Sequence, residues 1–263
     1  MPLRSEEYKI ALVLITTKSE LHSGDVKECI DRYIESVSES RLIDIIISFN
    51  TNVDSSQLDY IKSNKNVNSL DIHNCNVPAK EDIYTHDDKV DVKHELGQSN
   101  GPNQSFYRAF DYLKSKSHDF FMVIEADSRP IGEYWLDGLV HYCNMKEFII
   151  GGSRYKGGQK LPDCDWRDHL NGIALYKNCD ELYDVMKGSK ELLYRYIHKK
   201  AYARLNYDIA IWYYVNSPEG DKYLSQIIDT SIIANYSLPC DIDISEKDIL
   251  AKHPLTIILH QKT

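Results

Sequence analysis

Runs of β-branched and aromatic residues recur along the chain, each ending in a short polar cluster, and this alternation restricts the fold more than any other feature. Lys9-Ile10-Ala11-Leu12-Val13-Leu14-Ile15 is nearly continuous in apolar residues and gives way to Thr16-Thr17-Lys18-Ser19. A run without polar alternation marks a strand covered on both faces, which is how parallel strands are buried. Leu42 to Phe49, ending at Asn50-Thr51-Asn52, reads the same way. So does Phe120-Phe121-Met122-Val123-Ile124, which ends at Glu125-Ala126-Asp127. Between the first two runs, Val26, Cys29, Ile30, Tyr33, Ile34 and Val37 fall at helical spacing. The expected fold class is α/β, a doubly wound, mostly parallel central sheet with helices on both faces. In such sheets ligands sit outside the carboxyl ends of the strands, so the polar clusters are expected to share one rim.

The rest of the chain fits that plan. A short helix is expected over Leu58 to Ser63, a strand over Val67 to Ile72, and a long polar loop from Asn74 to Gly97. Gly101-Pro102-Asn103 opens a helix to about Ser115, because proline suits the first turn and Phe106, Ala109, Phe110 and Leu113 share a face. Further helices are expected over Trp135 to Asn144, Glu181 to Met186, Lys190 to Lys199 and Asp208 to Val215. Strands are expected over Phe148 to Gly152, Ile173 to Tyr176, Ser231 to Asn235 and Thr256 to Leu259. No repeat, low-complexity tract or linker-like stretch divides the sequence, so residues 1–263 are read as a single domain.

Composition narrows the partners. The net charge of -9 disfavours nonspecific attraction to nucleic acid or to an anionic membrane, both of which need a basic face. An acidic protein still binds a small anion when it supplies a divalent cation locally. No segment approaches the run of about 18 apolar residues that a membrane span needs, so no transmembrane segment is expected. The polar, acidic start Met1 to Glu7 is a poor signal peptide, which makes a cytoplasmic location the expectation. Six cysteines lie without a C-x-x-C pair, an arrangement of reduced structural thiols rather than of a zinc ribbon.

The chemistry concentrates at strand ends. Glu125 and Asp127 flank one small residue directly after the most hydrophobic strand, with Ser128-Arg129-Pro130 read as turning the chain away. Two carboxylates at this spacing can aim at one hard cation while diphosphate oxygens and waters complete an octahedron, as Mg²⁺ or Mn²⁺ prefers. Taken alone, acids at a strand end are commonly solvated or capping groups.

The triplet and its surroundings resemble the GT-A glycosyltransferases, whose acidic D-x-D triplet binds the metal of a nucleotide-sugar; here the triplet is the E-x-D variant. The string EADSRPIGEYWLDGL is similar to a bacterial and viral-type subgroup. The resemblance implies metal ligation by Asp127, with Glu125 acting directly, through water or on the donor ribose. It also implies a nucleotide-binding half over about 1–130 and, over 131–263, an acceptor half with a C-terminal metal and diphosphate segment. Asn100 and Asn103, around Gly101, occupy the position that contacts the donor nucleotide, at a helix start that offers free N-H groups. Thr16, Thr17, Ser19 and Asn50 stand at the rim where base and ribose are held; as plain residues they are ordinary loop types. His169, Asn171 and Gly172 match a segment beside sugar and acceptor, and otherwise form a polar turn feeding a strand. Asp208 matches the aromatic-Asp pair of the acceptor half: a general base if the anomeric centre inverts, an orienting group if it is retained, or simply a helix cap. His260 and Lys262 are similar to the late His and Lys that complete the metal shell and neutralise the leaving diphosphate. Tyr155, Trp166, Trp212 and Tyr213 are candidate sugar platforms, although core packing explains each.

The function implied is metal-assisted transfer of a sugar from a nucleoside diphosphate sugar to a hydroxyl of a glycan acceptor, with Mn²⁺ or Mg²⁺. Two other readings stay open. A nucleotidyltransferase also sets carboxylates and a metal on an α/β sheet, but usually carries a glycine-rich loop after the first strand, which Thr16-Thr17-Lys18-Ser19 lacks. An inert carbohydrate-binding protein of the same shape is the third, since fold does not guarantee activity.

Overall fold

The computed structural model describes residues 8–84, 94–158, 167–199 and 205–261. The first apolar run forms β1 (Ile10–Thr16), followed by helices α1 (Lys18–Ser23) and α2 (Asp25–Glu35) and by β2 (Ile43–Phe49). A single helical turn, α3 (Asp59–Lys62), leads into β3 (Val67–Asn74). Helix α4 (Asn100–Leu113) then precedes β4 (Phe120–Ile124), β5 (Ser128–Pro130) and α5 (Trp135–Met145). The second half runs β6 (Ile150–Gly152), β7 (Ala174–Lys177), α6 (Asp180–His198) and α7 (Tyr207–Val215). It ends with β8 (Ile227–Asp229), β9 (Ile233–Tyr236), α8 (Glu246–Lys252) and β10 (Ile258–Gln261).

Seven strands form one sheet in the order β3-β2-β1-β4-β7-β6-β8. All run the same way except β7, which is antiparallel to both β4 and β6. The chain moves outward from β1 to β2 and β3, then returns to place β4 on the other side of β1. That reversal is a topological switch point, and it opens a crevice between the carboxyl ends of β1 and β4.

The alternation of side chains along the strands makes two cores. Leu12, Leu14, Ile45, Ile47, Met122 and Ile124 point to the face covered by α2 and α5. Ala11, Val13, Ile46, Phe121 and Val123 point to the other face, covered by α4, α6 and α7. Burial on both faces is why these runs show no polar alternation.

A second, three-stranded sheet has the order β5-β10-β9. Ser128-Arg129-Pro130 therefore does more than turn the chain. It pairs antiparallel with β10, setting His260 opposite Ser128. The loop expected at Thr16 to Ser19 is also corrected: Thr16 ends β1, and Thr17 caps α1 in a reciprocal box with Glu20. The two helices expected over Glu181 to Met186 and Lys190 to Lys199 are one, continuous through Gly188, whose missing Cβ leaves room for the Tyr214 ring. Among the described residues, no helix is long and apolar enough to cross a membrane.

Candidate active site

Glu125, Ala126 and Asp127 occupy the bend between β4 and β5, at the switch point of the sheet. The bend is held from beneath. Ser128 donates from its hydroxyl to the Glu125 carbonyl at 2.7 Å, and its backbone N-H reaches the same carbonyl at 3.0 Å. Tyr33 of α2 hydrogen-bonds the Ser128 hydroxyl at 3.0 Å, and the Arg32 guanidinium donates to the Ala126 carbonyl at 2.9 Å. The Cys29 thiol lies 3.6 Å from the Glu125 carbonyl, and burial pushes that thiol up to about 12, so it stays neutral. One face of α2 thus fixes the acidic turn.

His260 arrives from the far end of the sequence because β10 pairs with β5. Its Nε2 lies 3.1 Å from Asp127 Oδ1 and 3.5 Å from Glu125 Oε2, and the imidazole is 2% exposed. One ligand atom from each of the three residues falls within 4.8 Å of the others. Two carboxylates and an imidazole fit a divalent cation such as Mn²⁺, which accepts both oxygen and imidazole nitrogen. The electrostatics fit as well. The Glu125 side chain keeps 41% of its surface open to the cleft, yet its carboxyl is raised above the usual range. Lost solvation is the main cause, His260 opposes it, and the charges of Asp127, Asp208 and Glu20 add to it. A cation would relieve this crowding of negative charge.

The second part of the cleft is built on α7. Asp208 sits in its first turn rather than at the cap, which Asn206 occupies. Asp208 Oδ1 accepts from the Ile209 N-H at 2.8 Å, while Oδ2 lies 3.4 Å from His169 Nε2. Tyr207 stacks on Phe106 with ring centroids 3.7 Å apart, and its hydroxyl end closes on Gly172. A Cβ at Gly172 would stand 2.2 Å from the Tyr207 hydroxyl oxygen, so only glycine fits there. Burial, then the charges of Glu125 and Asp208, hold the Tyr207 hydroxyl well above its ordinary range. Asn171 accepts from the Ile173 N-H at 2.9 Å and shapes the turn. Asn171, Tyr176, Asp208 and Trp212 line a recess of about 10 Å³. That is room for about one water, so the recess is a floor and not a sugar pocket.

The polar rim residues are engaged with the protein. Thr16 donates to Glu20 at 2.8 Å, Ser19 lies 2.8 Å from the Thr17 hydroxyl, and Asn50 accepts from the Lys18 N-H at 3.1 Å and donates to Asp82. Asn100 and Asn103 are fully buried. Asn103 donates to the carbonyls of Leu96 at 3.1 Å and Leu205 at 3.0 Å, and accepts from the Tyr207 N-H at 2.8 Å. It joins the start of α4 to the start of α7. Asn100 accepts from the Leu96 N-H at 2.8 Å and donates to the Glu81 carbonyl. Both amides are thus engaged with the protein and shape the loops around the crevice. Gly101 has its own reason: a Cβ there would lie 2.5 Å from Asp82 Oδ1.

Lys262 and Trp166 lie outside the described residues. Tyr155 donates to Asp241 at 3.0 Å, and Tyr213 packs edge-on to Tyr196. Two neighbours of the site were not anticipated. Glu20 adds its charge near Glu125, and its signal was the Thr17-x-x-Glu20 capping box. Tyr84 has its hydroxyl raised by partial burial, then by the charges of Glu125 and Asp208. A tyrosine in a polar loop gives no such signal.

No protein-family profile matches this chain. No curated protein matches it by sequence. Solved structures do match. The glycosyltransferase GlyE of Streptococcus pneumoniae TIGR4 in its apo form gives a TM-score of 0.55 at 12% identity, over 98% of this chain and 55% of that one. This chain thus spans about half the length of GlyE. The galactosyltransferase LgtC, in complex with donor and acceptor sugar analogs, gives 0.55 at 10% identity over 97% of this chain and 87% of that one. Mouse xyloside xylosyltransferase 1, apo form, gives 0.52 at 9% identity over 97% of both chains.

Proposed function

We propose that the chain, which has the fold of the GT-A glycosyltransferases, transfers a sugar from a nucleoside diphosphate sugar to a hydroxyl of a glycan acceptor with the help of Mn²⁺ or Mg²⁺. The observation that carries this reading is the meeting of Glu125, Asp127 and His260 at the switch point of the sheet. LgtC, a galactosyltransferase, was solved with donor and acceptor sugar analogs and shares this fold, which supports the same substrate classes here.

In this reading Asp127 and His260 hold the metal, with Glu125 as a third ligand. When bound, the ion supplies a positive charge against the leaving diphosphate. The rim of Thr16, Thr17, Ser19 and Asn50 frames the nucleotide side of the crevice, and Asn100 and Asn103 keep its loops in place. Lys262 is the candidate counter-charge to the diphosphate. On the acceptor side stand His169, Asn171, Gly172 and Asp208. Asp208 takes the acceptor proton in an inverting reaction, or orients the reactants in a retaining one. Residues of about 1–130 make the nucleotide half and 131–263 the acceptor half.

A screen of nucleoside diphosphate sugars for metal-dependent hydrolysis without acceptor tests this proposal. Release of nucleotide from one of them, lost in Asp127→Ala, is the expected result. Binding of a sugar nucleotide with no turnover in the presence of any glycan would instead favour the inert carbohydrate-binding reading.

A further inference from the structure

A second opening lies away from the acidic triplet, on the outer side of α6 and α7. It has a volume of about 590 Å³, within the range of about 300–1,000 Å³ that small-molecule sites occupy. The distance along α7 from Asp208 to Tyr214, which lines this opening, is about 9 Å at 1.5 Å per residue. The two places are therefore neighbours on one helix without sharing a residue.

Its chemistry is specific. Tyr194 presents a ring that is 46% exposed, and the imidazole of His198, with ring centroids 4.0 Å apart, props it from the next turn of α6. The Tyr214 ring forms part of the floor and fits there only because residue 188 is glycine: a Cβ would stand 2.2 Å from the ring. Around these rings stand Lys190, Glu191, Arg195 and Glu219, with Glu95 at the edge. Glu191 and Arg195 are four apart on the helix and so share its face, and Arg195 is close enough to Glu219 to act on it electrostatically. The Lys190 ammonium stands 5.8 Å from the ring centre of Tyr107.

Three carboxylates against two cations give this lining no attraction for a strong anion, and so many charged groups disfavour a purely apolar ligand. What suits it is a neutral molecule with flat apolar faces and many hydroxyls. Sugar rings stack on tyrosine through their C-H faces, while carboxylate and guanidinium groups accept from and donate to vicinal hydroxyls. We infer that the groove lined by Tyr194, Tyr214, Glu191, Arg195 and Glu219 binds a short neutral oligosaccharide. Under the proposed transferase reading, on which this role in catalysis rests, it anchors a remote part of the acceptor glycan. The binding itself does not depend on that reading.

Saturation-transfer NMR on the full chain, with neutral trisaccharides of glucose, galactose or N-acetylglucosamine, tests the site. At least one trisaccharide is expected to bind the unaltered protein and Tyr194→Phe alike. Tyr194→Ala, a change at an exposed position whose folding a thermal melt verifies, is expected to weaken that binding about tenfold. Arg195→Gln should weaken it as well. Failure of every trisaccharide to bind, or equal binding by Tyr194→Ala, overturns the inference. So does loss of binding in Asp208→Asn with Tyr194→Ala unaffected, because the sugar then sits in the main cleft. Trisaccharide binding without any nucleotide binding would keep this site and remove the transferase reading; the reverse would remove this site alone.

Discussion

His260 Nε2 stands 3.1 Å from Asp127 Oδ1, although 132 residues, counted from the numbering, lie between the two in sequence. The contact exists because β5 continues directly from the acidic turn and pairs with β10, in the register that sets His260 opposite Ser128. Replacing His260 by Ala should therefore reduce metal affinity while leaving the seven-stranded sheet intact. Mn²⁺ titration followed by thermal melting measures this: the melting shift produced by metal in the unaltered chain should disappear. An equal shift in His260→Ala would exclude the imidazole as a ligand.

Ser128 tests the support beneath the metal site. Its hydroxyl both donates to the Glu125 carbonyl and meets Tyr33, so Ser128→Ala leaves buried groups without their bond. A loss of about 1–3 kcal/mol in stability is expected. Metal affinity should fall about 10-fold to 100-fold, as when residues behind a metal ligand are removed. Chemical denaturation and metal titration on the same variant check the two effects separately.

Asp208→Asn preserves the shape and hydrogen-bonding size of the side chain but removes its basicity. If Asp208 is the base of an inverting reaction, transfer should slow by about 10²–10⁴-fold, with nucleotide binding unchanged. Steady-state assays with donor and acceptor varied in turn resolve this. A variant that loses nucleotide affinity instead would move Asp208 to the donor side.

These residues differ in how readable they were. The apolar runs of β1, β2 and β4 are buried on both faces, so their unbroken apolar composition alone gave their place and the rim at their ends. The triplet, Asp208 and His260 were legible as residue types at strand or helix ends. The convergence of the triplet with His260 was implied only by the family resemblance, because it depends on the pairing of β5 with β10, and a three-residue strand such as Ser128–Pro130 leaves no periodic trace. Asn100 and Asn103 were legible as polar residues at a helix start. That their amides are spent on Leu96, Glu81, Leu205 and Tyr207 depends on long-range packing.

Gly172→Ala tests how tightly Tyr207 packs against the turn before β7. The added methyl would meet the Tyr207 hydroxyl at 2.2 Å and its ring at 2.8 Å. Overpacking should destabilise the chain by about 1–3 kcal/mol. Gly172→Ala combined with Tyr207→Phe should recover part of that loss, since the hydroxyl makes the nearest contact. Equal denaturation midpoints for the single and double variants would contradict the geometry.

Asp44 supplies a pH dependence remote from the cleft. Burial alone would raise its carboxyl, but hydrogen bonds from His118, Ser69 and Asn68 outweigh that and lower it from 3.8 to about 2. A depressed group binds fewer protons in the native state than in the unfolded one, so it stabilises the fold above pH 3.8. That contribution, about 2 kcal/mol, is lost as pH falls through about 2. Stability measured from pH 5 down to pH 2 should therefore fall less steeply in Asp44→Asn than in the unaltered chain. Parallel curves would show that Asp44 gains nothing from its partners.

Calorimetric titration of UDP, GDP and CMP, each with and without Mn²⁺, into the unaltered chain and Asp127→Ala is the most direct test of the metal-dependent donor site. One nucleotide is expected to bind only when Mn²⁺ is present, and Asp127→Ala should lose that binding. Weak binding to all three, indifferent to the metal and to Asp127, would contradict the account.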